Sequence, residues 1–281
     1  MFFSILIFVF GLIVGSFLNC LIYRLALPNF SWKNLRGLRG RSYCPHCRHV
    51  LGWQDLIPVL SFFILRRKCR YCGQPISWQY PLVEISTGAV FLLISNSQIP
   101  PLESLWLPTG QVISSLVTLA LLLFISCLLI VIFVFDLKHY IIPDEITYSA
   151  IITTLIYQLL KIANYGLRIT DFKQLINPFF SAIGAAAFFL TLVLISKEKW
   201  MGLGDVKFAF FMGLLLGWPN ILVALFLSFS IGAIIGLGLI IFGKKGWKSE
   251  IPFGPFLTVG TFLAMFFGAN IVNWYLNLYL L

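Results

Sequence analysis

The chain has 281 residues, of which 59% are hydrophobic and only 11% charged, and its mean hydropathy is +0.94. A soluble domain carries about twice that share of charge, so a single water-exposed globule is excluded and a polytopic membrane protein is indicated. The net charge of +10 would suit a nucleic-acid ligand, but ten of the twenty basic residues fall between Arg24 and Arg70, in one polar loop. Membrane topology accounts for that clustering, and no nucleic-acid partner is expected.

Eight apolar segments follow one another, at about residues 2–23, 82–97, 112–135, 146–162, 176–196, 206–218, 220–242 and 255–280. The first has no basic n-region and no small-residue cleavage site after it, so it reads as a retained transmembrane helix. The sixth is weak. Its 13 residues would rise only about 20 Å as a helix, and Trp218-Pro219-Asn220 breaks it at the far end. No internal repeat or low-complexity tract stands out. With the loop of residues 24–80 placed in the cytoplasm, the alternation of segments puts seventeen of the twenty basic residues on that side. Only Lys161, Arg168 and Lys173 lie on the other. This is the asymmetry that the positive-inside rule expects of a membrane protein, and it makes lipid a partner. The predicted fold is all-α and polytopic, with about eight transmembrane helices and a small zinc-ribbon-like loop. The predicted divisions are a first helix (1–23), a four-cysteine loop (24–80) and a helical bundle (81–281).

The loop holds Cys44-Pro45-His46-Cys47 and, separated by 21 residues, Cys69-Arg70-Tyr71-Cys72. Two C-x-x-C knuckles supply four thiolates for one tetrahedral zinc and leave no open coordination position, so the expected metal is structural. Two disulfides are the alternative, disfavoured in a reducing cytoplasm, and His46 and His49 are rival ligands. Cys20 and Cys127 stand alone in apolar helices and receive no role.

Ten acidic residues can be weighed one by one. Asp55, Glu103, Asp171, Glu198 and Glu250 read as solvated. Glu84 enters the second segment, where a helix N-terminus favours a carboxylate. The remaining four belong to two groups at the cytoplasmic boundary. Asp136 ends the third segment, ahead of Asp144 and Glu145, and Gly202-Leu203-Gly204-Asp205-Val206-Lys207 opens the sixth. Ionisable groups beside hydrocarbon are costly, and two carboxylates at one depth can share a proton. One then deprotonates water while the other protonates a scissile carbonyl, without a covalent intermediate. Helix polarity favours an ionised Asp205 and disfavours charge on Asp136, which assigns the base and the acid respectively. Gly202 and Gly204 would let the backbone approach a substrate. Asp144, following Pro143, is what helix initiation alone would select.

Read end to end, these motifs resemble those of the bacterial type IV prepilin peptidases. Gly15-Ser16-Phe17-Leu18-Asn19 with Tyr23-Arg24, the two C-x-x-C pairs and Tyr80-Pro81-Leu82-Val83-Glu84 come in family order. Asp136 with Ile142-Pro143-Asp144, then Met201 to Lys207, then Ile251-Pro252-Phe253-Gly254-Pro255-Phe256 complete it. The resemblance implies an eight-helix bundle in the bacterial inner membrane that cuts type IV prepilins and type II secretion pseudopilins after a leader glycine at the cytoplasmic face. It further implies methylation of the new terminal amine with S-adenosylmethionine. It names Asp136 and Asp205 as the catalytic pair, with Gly202, Gly204 and Lys207 as the supporting loop. Two positions in the 24–80 loop, the region that the resemblance associates with methylation, depart from the family pattern: Arg67 where glycine is common, and Leu56 where asparagine is common. A presenilin-like G-x-G-D protease and a zinc-loop scaffold or transporter are the competing readings.

Overall fold

The computed structural model describes residues 2–27, 40–98, 109–164, 172–243 and 251–279. Within them lie nine α-helices and no strand. They are α1 (Phe2–Leu25), the short α2 (Leu60–Ile64), α3 (Gln79–Gln98), α4 (Thr109–His139) and α5 (Asp144–Asn164), followed by α6 (Phe172–Ser196), α7 (Leu203–Leu216), α8 (Asn220–Ile241) and α9 (Gly254–Tyr279). Helices α1, α4, α5, α6, α8 and α9 are long and apolar enough to cross a membrane. Each of the eight expected segments falls on a helix, but α3 and α7 are not long and apolar enough to count as spans, so six rather than eight candidate crossings are described. Glu103, Asp171 and Glu250 lie outside the described residues, as do Arg168 and the lysines at 244, 245 and 248.

The chain forms two compact units, Met1–Pro100 and Pro101–Leu281. In the first, α1 packs along α3. The two backbones approach at glycines, since a Cβ on Gly11 would fall 2.6 Å from the Cα of Gly88. Small residues permit such contact where apolar solvent offers no hydrophobic drive between helices. At the polar end of this pair Asn19 is buried; its amide donates to the carbonyl oxygen of Tyr80 at 3.1 Å and its oxygen accepts from Gln79 Nε2 at 3.1 Å. Glu84 differs from the reading as a first-turn carboxylate. It stands in the second turn of α3, buried, with Oε2 accepting the Val59 N–H at 2.7 Å. Val59 has a φ of +61°, an uncommon conformation for a β-branched residue, and the Glu84 bond helps hold it.

In the second unit α7 is the most enclosed helix, contacted by α5, α6, α8 and α9. Phe208, Ala209, Phe211, Met212 and Leu214 are fully buried, which explains how a 14-residue helix too short for a full span persists. Its C-terminus is met by side chains. Gln158 Nε2 donates to the Leu214 carbonyl at 2.6 Å, and the Asn177 oxygen accepts from the Trp218 N–H at 2.6 Å. A helix end inside a bundle needs such partners, because each unpaired peptide group there costs several kcal/mol, about the cost of leaving it in hydrocarbon.

Candidate active site

Asp136 occupies the last turn of α4 and is 4% exposed, and Asp205, 9% exposed, is the third residue of α7. The two carboxylates lie close enough that Asp136 acts on Asp205 electrostatically. Each accepts one hydrogen bond from a glycine. Gly202, the residue that caps α7, donates its N–H to Asp205 Oδ2 at 3.2 Å, and Gly254 donates to Asp136 Oδ2 at 2.9 Å. Gly254 is the first residue of α9. The N-terminal end of a second helix therefore offsets the unfavourable end of α4 on which Asp136 sits, and the helix-polarity argument for unequal roles loses its basis.

Ile142 fills the space between the two glycine segments. A Cβ on Gly204 would lie 3.2 Å from Ile142 Cβ, and one on Gly254 would lie 3.3 Å from Ile142 Cδ1. The absent side chain of Gly204 thus makes room for Ile142 rather than for a substrate. Gly202 is the open one of the pair, with nothing nearer than 3.9 Å to its Cβ position. Lys207 reaches Asp144, with Nζ 2.7 Å from Oδ2, and lies over the Tyr148 ring at 5.3 Å. Asp144 begins α5, half exposed and tied to this lysine. Asp144→Asn is accordingly expected to lower the peptidase activity that the resemblance implies by less than about threefold, since an exposed ion pair is worth about 0–1 kcal/mol. Initial rates of purified variant and parent check it.

In the first unit the four predicted thiols converge. The sulfurs of Cys44, Cys47, Cys69 and Cys72 all lie within 4.8 Å of one another, and Cys44 Sγ is 3.9 Å from Cys72 Sγ. Zinc–sulfur bonds of about 2.3 Å place tetrahedral sulfurs about 3.8 Å apart, so the donor set fits that ion. All six cysteines are free thiols in this structure. The knuckles repeat one another in backbone. Cys44 N–H donates to His49 O and Cys69 N–H to Gln74 O, while Arg48 and Gly73 return to Cys44 O and Cys69 O, both at 2.9 Å. The residue after each second cysteine, Arg48 or Gly73, has a φ of +56° or +71°. Burial opposes ionisation of Cys44, but the N–H groups of Cys47 and His46 outweigh it and bring that thiol down to about 7. The Gln74 N–H favours a Cys72 thiolate, yet desolvation and the neighbouring thiols push Cys72 up to about 11. A divalent cation removes that mutual repulsion.

Asp55, expected to be solvated, instead ties the knuckles together. Its side chain is 4% exposed, 2.7 Å from Arg70 Nε, and accepts from the Gly52 N–H at 3.2 Å and the Tyr71 hydroxyl at 3.3 Å. Desolvation pushes its carboxyl up, and these donors, Arg70 foremost, outweigh that and hold it below the usual carboxylate range. Arg67 has a φ of +63°, the conformation in which glycine carries no steric cost. Its guanidinium lies 5.5 Å from the Trp78 ring centroid, a contact that glycine would not make. Leu56 ends a 3-10 turn, 39% exposed.

Together the helices and the carboxylate pair define a multi-pass helical membrane protein with a buried two-aspartate centre and a separate four-thiol centre. Residues 9–97 match the bacterial peptidase A24 N-terminal domain, and residues 123–237 match the type IV leader peptidase family. The chain is 32% identical to a prepilin leader peptidase/N-methyltransferase of Aeromonas hydrophila, over 98% of this chain and 94% of that one. It is also 32% identical to proteins of the same name from Legionella pneumophila (95% and 92% covered) and Bacillus subtilis strain 168 (97% and 98%). The chain belongs to the type IV leader peptidase family. No solved structure matches it.

Proposed function

We propose that this protein removes the leader peptide from type IV prepilins and type II secretion pseudopilins at the cytoplasmic face of the membrane, then methylates the new terminal amine. The observation that carries the reading is the pair of buried carboxylates, Asp136 and Asp205, whose adjoining glycines, Gly254 and Gly204, share Ile142 as a neighbour, within a chain whose relatives are prepilin leader peptidase/N-methyltransferases. The pair carries one proton between its two carboxyl groups, since two close like charges do not both ionise. The ionised carboxylate takes a proton from water as the oxygen adds to the scissile carbonyl carbon, and the protonated one gives its proton to the carbonyl oxygen. Collapse of the tetrahedral intermediate breaks the C–N bond, one of its two hydroxyls returns a proton to the carboxylate that had acted as the acid, and the amine leaves with the proton that the base had taken. Burial excludes other water and strengthens these charge interactions.

Cys44, Cys47, Cys69 and Cys72 would hold one zinc, which supplies rigidity to the loop and no reaction step. S-adenosylmethionine would supply the methyl group. The concentration of basic residues between Arg24 and Arg70 supports a cytoplasmic position for the loop and anionic lipid as its neighbour. Matches to both the N-terminal and the peptidase domains, together with the four thiols, favour this function over a presenilin-like protease or a scaffold.

The purified protein, incubated with a full-length prepilin and S-adenosylmethionine, is expected to yield pilin that has lost its leader and gained one methyl group, read by intact-mass spectrometry. An intact leader in the presence of folded, metal-loaded protein would overturn the peptidase reading. A cleaved but unmethylated terminus would overturn the methyltransferase reading alone.

A further inference from the structure

We propose that Gly254 is a positioning residue of the peptidase centre, with its N–H holding Asp136 Oδ2 and its missing side chain reserving the space that this carboxylate occupies. The inference rests on the reading of Asp136 as half of the catalytic pair. It assigns a task to the Ile251-Pro252-Phe253-Gly254-Pro255-Phe256 segment, to which the chemistry above gives none.

The donor is 118 residues from its acceptor in sequence, and the bond is 2.9 Å long and buried. A Cβ at position 254 would stand 2.5 Å from Asp136 Oδ2 and 3.1 Å from Asp136 Cγ. The threatened atom is the end of a side chain, not backbone, so the clash is relieved by moving the carboxylate and leaving the helices where they are. Neighbouring residues hold the donor in place. The Phe253 ring packs against Phe229 at 5.0 Å and against Phe189 and Phe256 at 6.2 Å, which fixes the start of α9 on α6 and α8. Pro255 is the second residue of α9, where the missing N–H of proline costs no intrahelical bond. Phenylalanine fixes the entry, glycine donates, and proline sets the helix going. The same arrangement serves Asp205 through Gly202, but there donor and acceptor are three residues apart on one helix start. Only for Asp136 does the hydrogen bond depend on a different helix.

A carboxylate displaced by about 1 Å costs on the order of 10²-fold in rate. Gly254→Ala in the full-length protein should therefore lower kcat for leader removal about 10²-fold with KM unchanged. Its thermal midpoint and metal content should match the parent's. Gly184→Ala in α6, where a Cβ meets nothing within 4 Å, should retain parental kcat. The N–H of Gly254 is among the first four of its helix, which ordinarily exchange freely. It should be protected in the parent, and in Asp136→Ala its amide hydrogen exchange should be faster by at least about tenfold. Parental kcat in Gly254→Ala would overturn the proposal, as would a kcat loss accompanied by a matching loss of thermal midpoint. Equal exchange rates at Gly254 in parent and Asp136→Ala would overturn it even if the alanine variant does not fold. If Asp136→Asn itself cleaves prepilin, the reading of the pair fails, whereas an inactive Asp136→Asn beside a fully active Gly254→Ala removes this inference alone.

Discussion

Asp136→Asn and Asp205→Asn should each lower leader cleavage at least about 10³-fold, the scale of a lost general acid or base, while the protein still inserts and binds metal. Asparagine keeps the shape of aspartate but neither takes a proton from water nor delivers one to a carbonyl oxygen. Both side chains are buried, at 4% and 9% exposure, so no solvent group stands ready to substitute. Each amide oxygen can still accept the glycine N–H that the carboxylate now accepts, so the helix ends are left intact and the loss is chemical. Methylation of a pilin already lacking its leader should persist in both variants. Initial rates on a purified prepilin, with thermal midpoint as the folding control, decide the matter. An active Asp136→Asn together with an inactive Asp144→Asn would move the chemistry to Asp144, which the ion pair with Lys207 makes an unlike candidate.

Cys44→Ser combined with Cys72→Ser should abolish metal binding and unfold the loop between Arg41 and Ser77. Metal analysis should fall from about one zinc per chain to none, and limited proteolysis should cut within the loop. Structural zinc in small knuckle domains is worth about 10–16 kcal/mol of apparent binding energy, and that energy is folding energy. The loop has little else. Its buried apolar side chains, apart from two of the ligands themselves, reduce to Phe62, while Trp53, Leu60, Phe63 and Ile64 are exposed. Asp55 with Arg70 adds an ion pair at its surface, of the order of 1 kcal/mol. Methyl transfer should be lost with the loop. A parent protein that is reduced and active yet carries no zinc would refute the assignment.

Composition and spacing alone determined the elements here. Apolar runs of membrane-crossing length became helices, because in hydrocarbon a helix satisfies every backbone group locally, whatever it packs against. The four cysteines were legible for a similar reason. Knuckle spacing brings two thiols together within a few residues, and one tetrahedral ion would join the two pairs. Asp136 and Asp205 could be picked out because so few carboxylates lie near the membrane boundary.

What the tertiary structure decided is everything that depends on which face of a helix meets which neighbour. Helices that are apolar on all sides carry no stripe to indicate it. Nothing in the sequence brings Gly254 to Asp136 across 118 residues, or Ile142 between Gly204 and Gly254. Asp55 looked solvated because its partner Arg70 lies 15 residues away, across the fold of the two C-x-x-C knuckles. Glu84 looked like a carboxylate favoured by a helix N-terminus, and only the placement of Val59 against α3 makes it an acceptor inside the first unit. The glycine pattern at residue 67 likewise acquired its meaning from a backbone angle, +63°, which residue type alone does not report. Local hydrogen bonding and hydrophobicity write themselves into spacing and composition; long-range packing is settled by shape complementarity between side chains far apart in the chain.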